Sequence, residues 1–190
     1  MRTLFSRAAL LPLALVTGVT AQAAVWKLEP SESRVIFNYS YEGAPSKGEF
    51  RNIDATFDID VANPAACNIN VTIPIADMAV DTEEVLEYLL DVELFNAAEF
   101  PTASFQATQC RLESMNSFVA DGSLTIRDQT HPISFPFTLE TEIYDGQPRF
   151  HLTSEVTVLR LDYGVGTGYW EDTIALPNEI LIQVDVYSGQ

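Results

Sequence analysis

The chain has 190 residues and a formal charge of −17, with acidic residues outnumbering basic ones 27 to 10. That length suits one domain, and such a field repels phosphate backbones and anionic headgroups, so neither nucleic acid nor a stably held membrane is an expected partner. Cysteine is confined to Cys67 and Cys110, outside any CxxC motif, and His131 and His151 lack an HxH or HxxxH companion, so no metal site is expected.

The opening reads as an export signal. Arg2 and Arg7 give a positive start, Ala8 to Val19 form an apolar run broken by Pro12 and Gly18, and Ala21-Gln22-Ala23 supplies a small-x-small cleavage pattern. The run falls short of the roughly 20 apolar residues a bilayer-spanning helix needs. The expectation is a signal peptide over 1–23 and a periplasmic domain over 24–190. No later apolar run is long enough to span a membrane, and no repeat or linker divides the domain.

From Val35 onward the dominant signal is alternation. Val35, Phe37, Tyr39 and Tyr41 share one parity, with Asn38 and Ser40 between them. The pattern returns at Ile53–Ile59, at Ile69–Ile75 and at Ala103–Ala107. It continues at Phe118–Ile126, Ile133–Leu139, Phe150–Val158 and Ile180–Val186. Period-2 alternation marks strands of a one-sided antiparallel sheet, whereas buried parallel strands read as unbroken apolar runs. Turn chemistry separates them at Glu42-Gly43-Ala44-Pro45, Asn63-Pro64 and Asp145-Gly146-Gln147-Pro148. One helix interrupts, with Asp81 as its expected cap, Glu84 at capping-box spacing, and Val85, Leu86, Leu89 and Leu90 as its apolar stripe.

Eight amphipathic strands and one helix predict an all-β fold, a closed eight-stranded antiparallel barrel with a short helical insertion. Closure removes the exposed edges, and eight strands enclose an interior that either fills with side chains or holds one small ligand. Phe37, Phe57, Phe105, Phe118, Phe135, Phe137 and Phe150 all take the apolar parity, while Ala55, Ala103, Ala107 and Ala120 leave room between the rings. Periodicity does not separate a dry core from a lipid tunnel, and both readings stay open at this point.

Several stretches resemble the YceI-like family. They are Trp26-Lys27-Leu28 through Ser33-Arg34-Val35-Ile36-Phe37, then Gly48-Glu49-Phe50 leading into Phe57-Asp58, and the run from Phe95 to Phe105. Gly122 to Ile133 and Arg160 to Gly166 followed by Trp170 are similar too, so the resemblance covers about 25–186. Glu29 and Glu32 depart from the family's opening Asp and His. The resemblance implies an extended lipocalin-like barrel around a long polyisoprenoid, isoprenoid-quinone or fatty-chain ligand. Its implied walls are Phe37, Tyr39, Phe57, Ile73, Phe105, Ala107, Phe118, Ala120, Phe135, Phe137 and Phe150, apolar as pocket linings are.

The glycine-rich Tyr163–Trp170 loop lacks the lysine and the βαβ setting of a phosphate cradle. It reads as turn geometry, or as a mouth flap whose Tyr163, Tyr169 and Trp170 meet a ligand headgroup. Arg160 shares a parity with Asp162, as a structural pair or as a headgroup contact. No nucleophile elbow or catalytic Cys/His pairing appears, so no catalytic residue and no cofactor beyond the bound lipid is expected. Lipid carriage or sequestration is the leading reading. An accessory protein of a membrane redox or transport complex and a lipid-modifying enzyme are the alternatives.

A Cys67–Cys110 disulfide is expected, since both cysteines lie near one rim if the strands flanking the helix pair antiparallel. Matching Ile73 with Phe105 and Val71 with Ala107 sets Cys67 opposite Arg111 and turns Cys110 to the wrong face. A bulge would repair that offset.

Overall fold

The computed structural model describes residues 25–60 and 63–189. The expected signal peptide lies outside the described residues. Ten strands run in one sheet: β1 (Val25–Leu28), β2 (Arg34–Tyr41), β3 (Ala44–Phe50), β4 (Asp54–Asp58), β5 (Asn68–Pro74), β6 (Thr102–Ser114), β7 (Ser117–Ile126), β8 (Gln129–Tyr144), β9 (Gln147–Leu159) and β10 (Glu179–Gly189). The helix α1 (Glu83–Leu90) sits between β5 and β6. All pairings between strands are antiparallel, and β1 pairs with both β4 and β10, closing an eight-stranded barrel.

The barrel is the predicted fold, but its closing strand is not among the predicted eight. Trp26 and Leu28 give β1 too short an alternation to register as a strand, and Pro45 with Gly48 hides β3. One edge of β10 carries β2 along Leu181–Asp185 and then β1 at Ser188 and Gly189. The Pro30 turn breaks the ladder between them, and Ser33 fills the gap. Its hydroxyl accepts from the Tyr187 N–H at 3.0 Å, and the Glu29 N–H donates to the Tyr187 carbonyl at 2.8 Å. A buried backbone group left unpaired costs about 1–3 kcal/mol, so these two bonds hold the seam shut.

Turn chemistry sets the hairpins. Glu42-Gly43 and Asp145-Gly146 both take positive φ at each residue, the two-residue geometry whose twist matches the flanking strands. Ala44 and Pro45 therefore belong to β3 rather than to the turn. Gly48 stands opposite Phe37, and a Cβ there would lie 2.1 Å from the ring. The helix cap also differs from expectation. Thr82, not Asp81, caps α1, its Oγ1 accepting from the Val85 N–H at 3.2 Å.

At one end the barrel is solid. Phe118, Phe150, Ala107 and Ala120 are buried there, and Phe150 meets Trp26 and Phe57 edge-on at 5.4 and 5.3 Å. Outside this end, the Arg149 guanidinium lies between the Tyr144 and Tyr187 rings and pairs with Glu29, Glu32 and Glu142. Glu29 and Glu32, the departures from the family pattern, thus anchor Arg149.

Cys67 and Cys110 are bonded at this same end, with Cα atoms 5.6 Å apart. The pairing that brings them together is shifted by two residues from the expected one: Ile73 faces Ala103, Val71 faces Phe105 and Ile69 faces Ala107. A two-residue shift preserves the faces. Beyond Ala107, β6 gains one residue relative to β7, since Ala107 pairs with Gly122 but Gln109 with Asp121. That bulge moves the inward parity from odd to even, so Cys110 is buried while Thr108 and Gln109 are exposed.

Candidate functional site

The other end of the barrel is hollow. A cavity of about 990 Å³ runs into the interior, lined almost wholly by aliphatic and aromatic side chains. Its size is at the upper end of the roughly 300–1,000 Å³ usual for ligand pockets. Of the expected wall residues, Phe37, Tyr39, Phe57, Ile73, Phe105, Phe135 and Phe137 line it. Ala107, Phe118, Ala120 and Phe150 do not; they form the packed end beneath it. Parity puts all eleven inside the barrel but carries no information on depth along its axis, so it does not separate cavity wall from packed end.

Three segments build the mouth: the end of the β2–β3 hairpin, α1 with the residues after it, and the loop from Arg160 to Asn178. Main-chain bonds join them. Gly166 and Thr167 N–H groups donate to the Glu93 carbonyl at 2.9 and 2.8 Å, and the Glu42 N–H donates to the Ala175 carbonyl at 2.8 Å. Such fixed joints hold side chains at a site in place before any ligand arrives.

Arg160 organises the loop from within. Its guanidinium donates to the carbonyls of Pro177, Val165, Trp170 and Leu176 at 2.7 to 3.0 Å. The expected pairing with Asp162 is absent; at 4% exposure the arginine has turned inward to the carbonyls of its own loop. Burial lowers its pKa from the ordinary guanidinium value. It borders the cavity, yet four of its five N–H positions are already committed, so its first task is to shape the loop. Gly166, at φ 107°, lies so close that a Cβ would stand 1.9 Å from the guanidinium.

Tyr169 and Trp170 line the mouth as expected, but Tyr163 does not. Tyr163 is 4% exposed and packs edge-on against His131 at 5.1 Å, and burial raises its phenol pKa. His131 in turn meets the Asp162 carbonyl, and His151 stacks on Tyr187 and bonds Asp185. Two further mouth rings escaped the sequence reading. Tyr41 lies 5.9 Å and Tyr88 6.0 Å from Trp170, with Tyr169 at 5.3 Å. Tyr41 was visible as the last apolar-parity residue of its strand. Tyr88 carried no signal, since it lies off the apolar stripe of α1.

The Tyr41 and Tyr169 hydroxyls share a hydrogen bond of 3.3 Å. That bond, with partial desolvation and the nearby Glu42, pushes the Tyr41 phenol up to about 12. It therefore stays neutral across the physiological range. Charge at the mouth comes instead from Glu87, Asp91 and Glu93, all of which border the cavity. Among the described residues, no three His, Cys, Asp or Glu side chains group so as to hold a metal ion.

A model of the YceI-like domain matches residues 26–187. The chain belongs to the YceI-like family. Protein YceI of Salmonella newport (strain SL254) is 30% identical over 132 residues, a match spanning 68% of this chain and 66%, just under two thirds, of that relative. Among solved structures, this YceI-like chain resembles Burkholderia cenocepacia BcnA with a TM-score of 0.75 at 22% identity, covering 84% of this chain and 98% of that one. It also resembles a polyisoprenoid binding domain from Saccharophagus degradans implicated in plant cell wall breakdown. There the TM-score is 0.65 at 12% identity, covering 86% and 97% of the two chains. At such identities these likenesses establish the shared fold.

Proposed function

We propose that this YceI-like barrel binds the apolar chain of a long isoprenoid or fatty amphiphile for carriage or sequestration, leaving it chemically unchanged. The observation that carries the reading is the cavity itself, about 990 Å³ of almost purely apolar lining that opens at one aromatic-ringed end. Burying a methylene is worth about 0.8 kcal/mol, so a long chain gains affinity from length without needing directed contacts. The polyisoprenoid-binding neighbour supports the same class of ligand. An isoprenoid quinone fits this reading, as does a periplasmic location after cleavage of residues 1–23. The lipid is the only bound group proposed, and no residue is assigned a catalytic role.

Native mass spectrometry of protein purified without detergent tests the reading. The expected spectrum contains a bound species whose extracted mass corresponds to a lipid. Protein that is ligand-free as isolated and takes up neither a polyprenol nor a fatty alcohol would overturn it.

A further inference from the structure

The mouth of the cavity combines two features that suit one kind of headgroup. Among the described residues, three carboxylates, Glu87, Asp91 and Glu93, border the cavity against a single basic side chain, Arg160, whose guanidinium is bonded to four carbonyls. Arg127, which does not border the cavity, gives one amino group to the Leu94 and Gly164 carbonyls. Beside the carboxylates, Tyr41, Tyr88 and Tyr169 gather around Trp170, and all four rings border the same cavity. Glu93 is held close to this cluster, since a Cβ on Gly168 would lie 2.8 Å from its Oε1.

Aromatic faces attract cations through the ring quadrupole, most strongly when the cation is poorly hydrated, and Trp is the best of them. Carboxylates a few ångströms away add attraction and repel anions. Aromatic rings and carboxylates around an apolar shaft match a quaternary ammonium on a long chain. Among the described residues that border the cavity, the one cation a phosphate or carboxylate head would meet is Arg160, with four of its five N–H positions already bonded to carbonyls.

Resting on the lipid-binding reading above, we propose that the mouth recognises the ammonium head of a single-chain amphiphile, its tail in the barrel. The head is either a simple alkylammonium or the trimethylammonium of a phosphocholine. The latter brings a phosphate that the carboxylates disfavour.

Four ligands with one hexadecyl tail separate the terms: hexadecyltrimethylammonium, hexadecylphosphocholine, hexadecanol and hexadecyl phosphate. Each is titrated below its micelle threshold by displacement of a fluorescent apolar probe, 1-N-phenylnaphthylamine. The trimethylammonium compound is expected to bind about ten-fold tighter than the alcohol, with the phosphate weakest. A phosphocholine stronger than the alcohol assigns the site to choline lipids, and one weaker assigns it to simple cations. The margin is expected to widen as salt falls. Glu87→Gln, on the exposed face of α1, narrows the gap between cation and alcohol. Equal affinities for cation, alcohol and phosphate, or a preference for the phosphate, would overturn the headgroup assignment and leave the lipid cavity standing. Displacement by none of the four removes the lipid-binding reading and this proposal with it.

Discussion

Ala103 and Ala120 share the inward parity of their strands, yet they face opposite surroundings. Ala103 borders the cavity; Ala120 is fully buried in the packed end. A phenylalanine at 103 is expected to enter empty space, abolish binding of a fatty probe and leave the unfolding midpoint close to that of the parent. A phenylalanine at 120 overpacks a filled core, at a cost of typically 1–3 kcal/mol. Urea unfolding and probe binding on both variants check the pair. If Ala103→Phe destabilises as much as Ala120→Phe, the cavity is not open in solution. The alanines also mark where the sequence runs out. Alternation shows which way a residue points but not what stands across the barrel from it. Hence Ala107, Phe118, Ala120 and Phe150 were indistinguishable from true cavity residues. Arg160 was illegible for a related reason: carbonyls of residues 165, 170, 176 and 177 leave no trace in a sequence.

Among the elements, the legible ones are those whose side chains alternate over five or more residues. β3 fails that test because it turns Pro45, Lys47 and Glu49 outward and sets Gly48 under Phe37, leaving almost nothing apolar to count. β6 is legible as a strand, but its bulge is not, since Thr108 is as ordinary on an outer face as in a kink. That bulge has a large energetic consequence. It delivers Cys110 to Cys67 across 43 residues of chain. Closing a loop of this length in the unfolded state is worth about 4 kcal/mol on the chain-entropy model. Reduction, or the Cys67→Ala and Cys110→Ala pair, is expected to lower the urea midpoint by the equivalent of several kcal/mol with little change in far-UV circular dichroism. A midpoint unmoved by reductant, with both thiols freely alkylated in the untreated protein, would show that the bridge does not form. Neither cysteine borders the cavity, so the reduced protein is expected to keep its probe affinity wherever it remains folded.

The whole molecule is hollow at one end, solid at the other, and strongly acidic. These properties bear on how the proposed lipid reaches the cavity. Among the described residues no helix is long and apolar enough to cross a membrane. Exposed apolar side chains do gather near the mouth: Ile174 is 90% exposed, Tyr169 63% and Val92 59%. Taken alone, that lip would favour contact with a bilayer. Around it lie Glu42, Glu83, Glu84, Glu171 and Asp172, within a chain of net charge −17. At about 0.01 M salt the Debye length is near 30 Å, so the repulsion from an anionic surface acts over a distance comparable to the barrel itself. At physiological salt it shrinks to about 8 Å, and only groups close to the surface still feel it. Binding to phosphatidylglycerol vesicles is therefore expected to be weak and to weaken further as salt is removed, while binding to neutral phosphatidylcholine vesicles stays insensitive to salt. Co-sedimentation across a salt series measures both. Tighter association with the anionic vesicles at low salt would mean that a local basic face outweighs the net field, and lipid exchange would then proceed by docking on the membrane rather than by transfer through brief apolar contact at the lip.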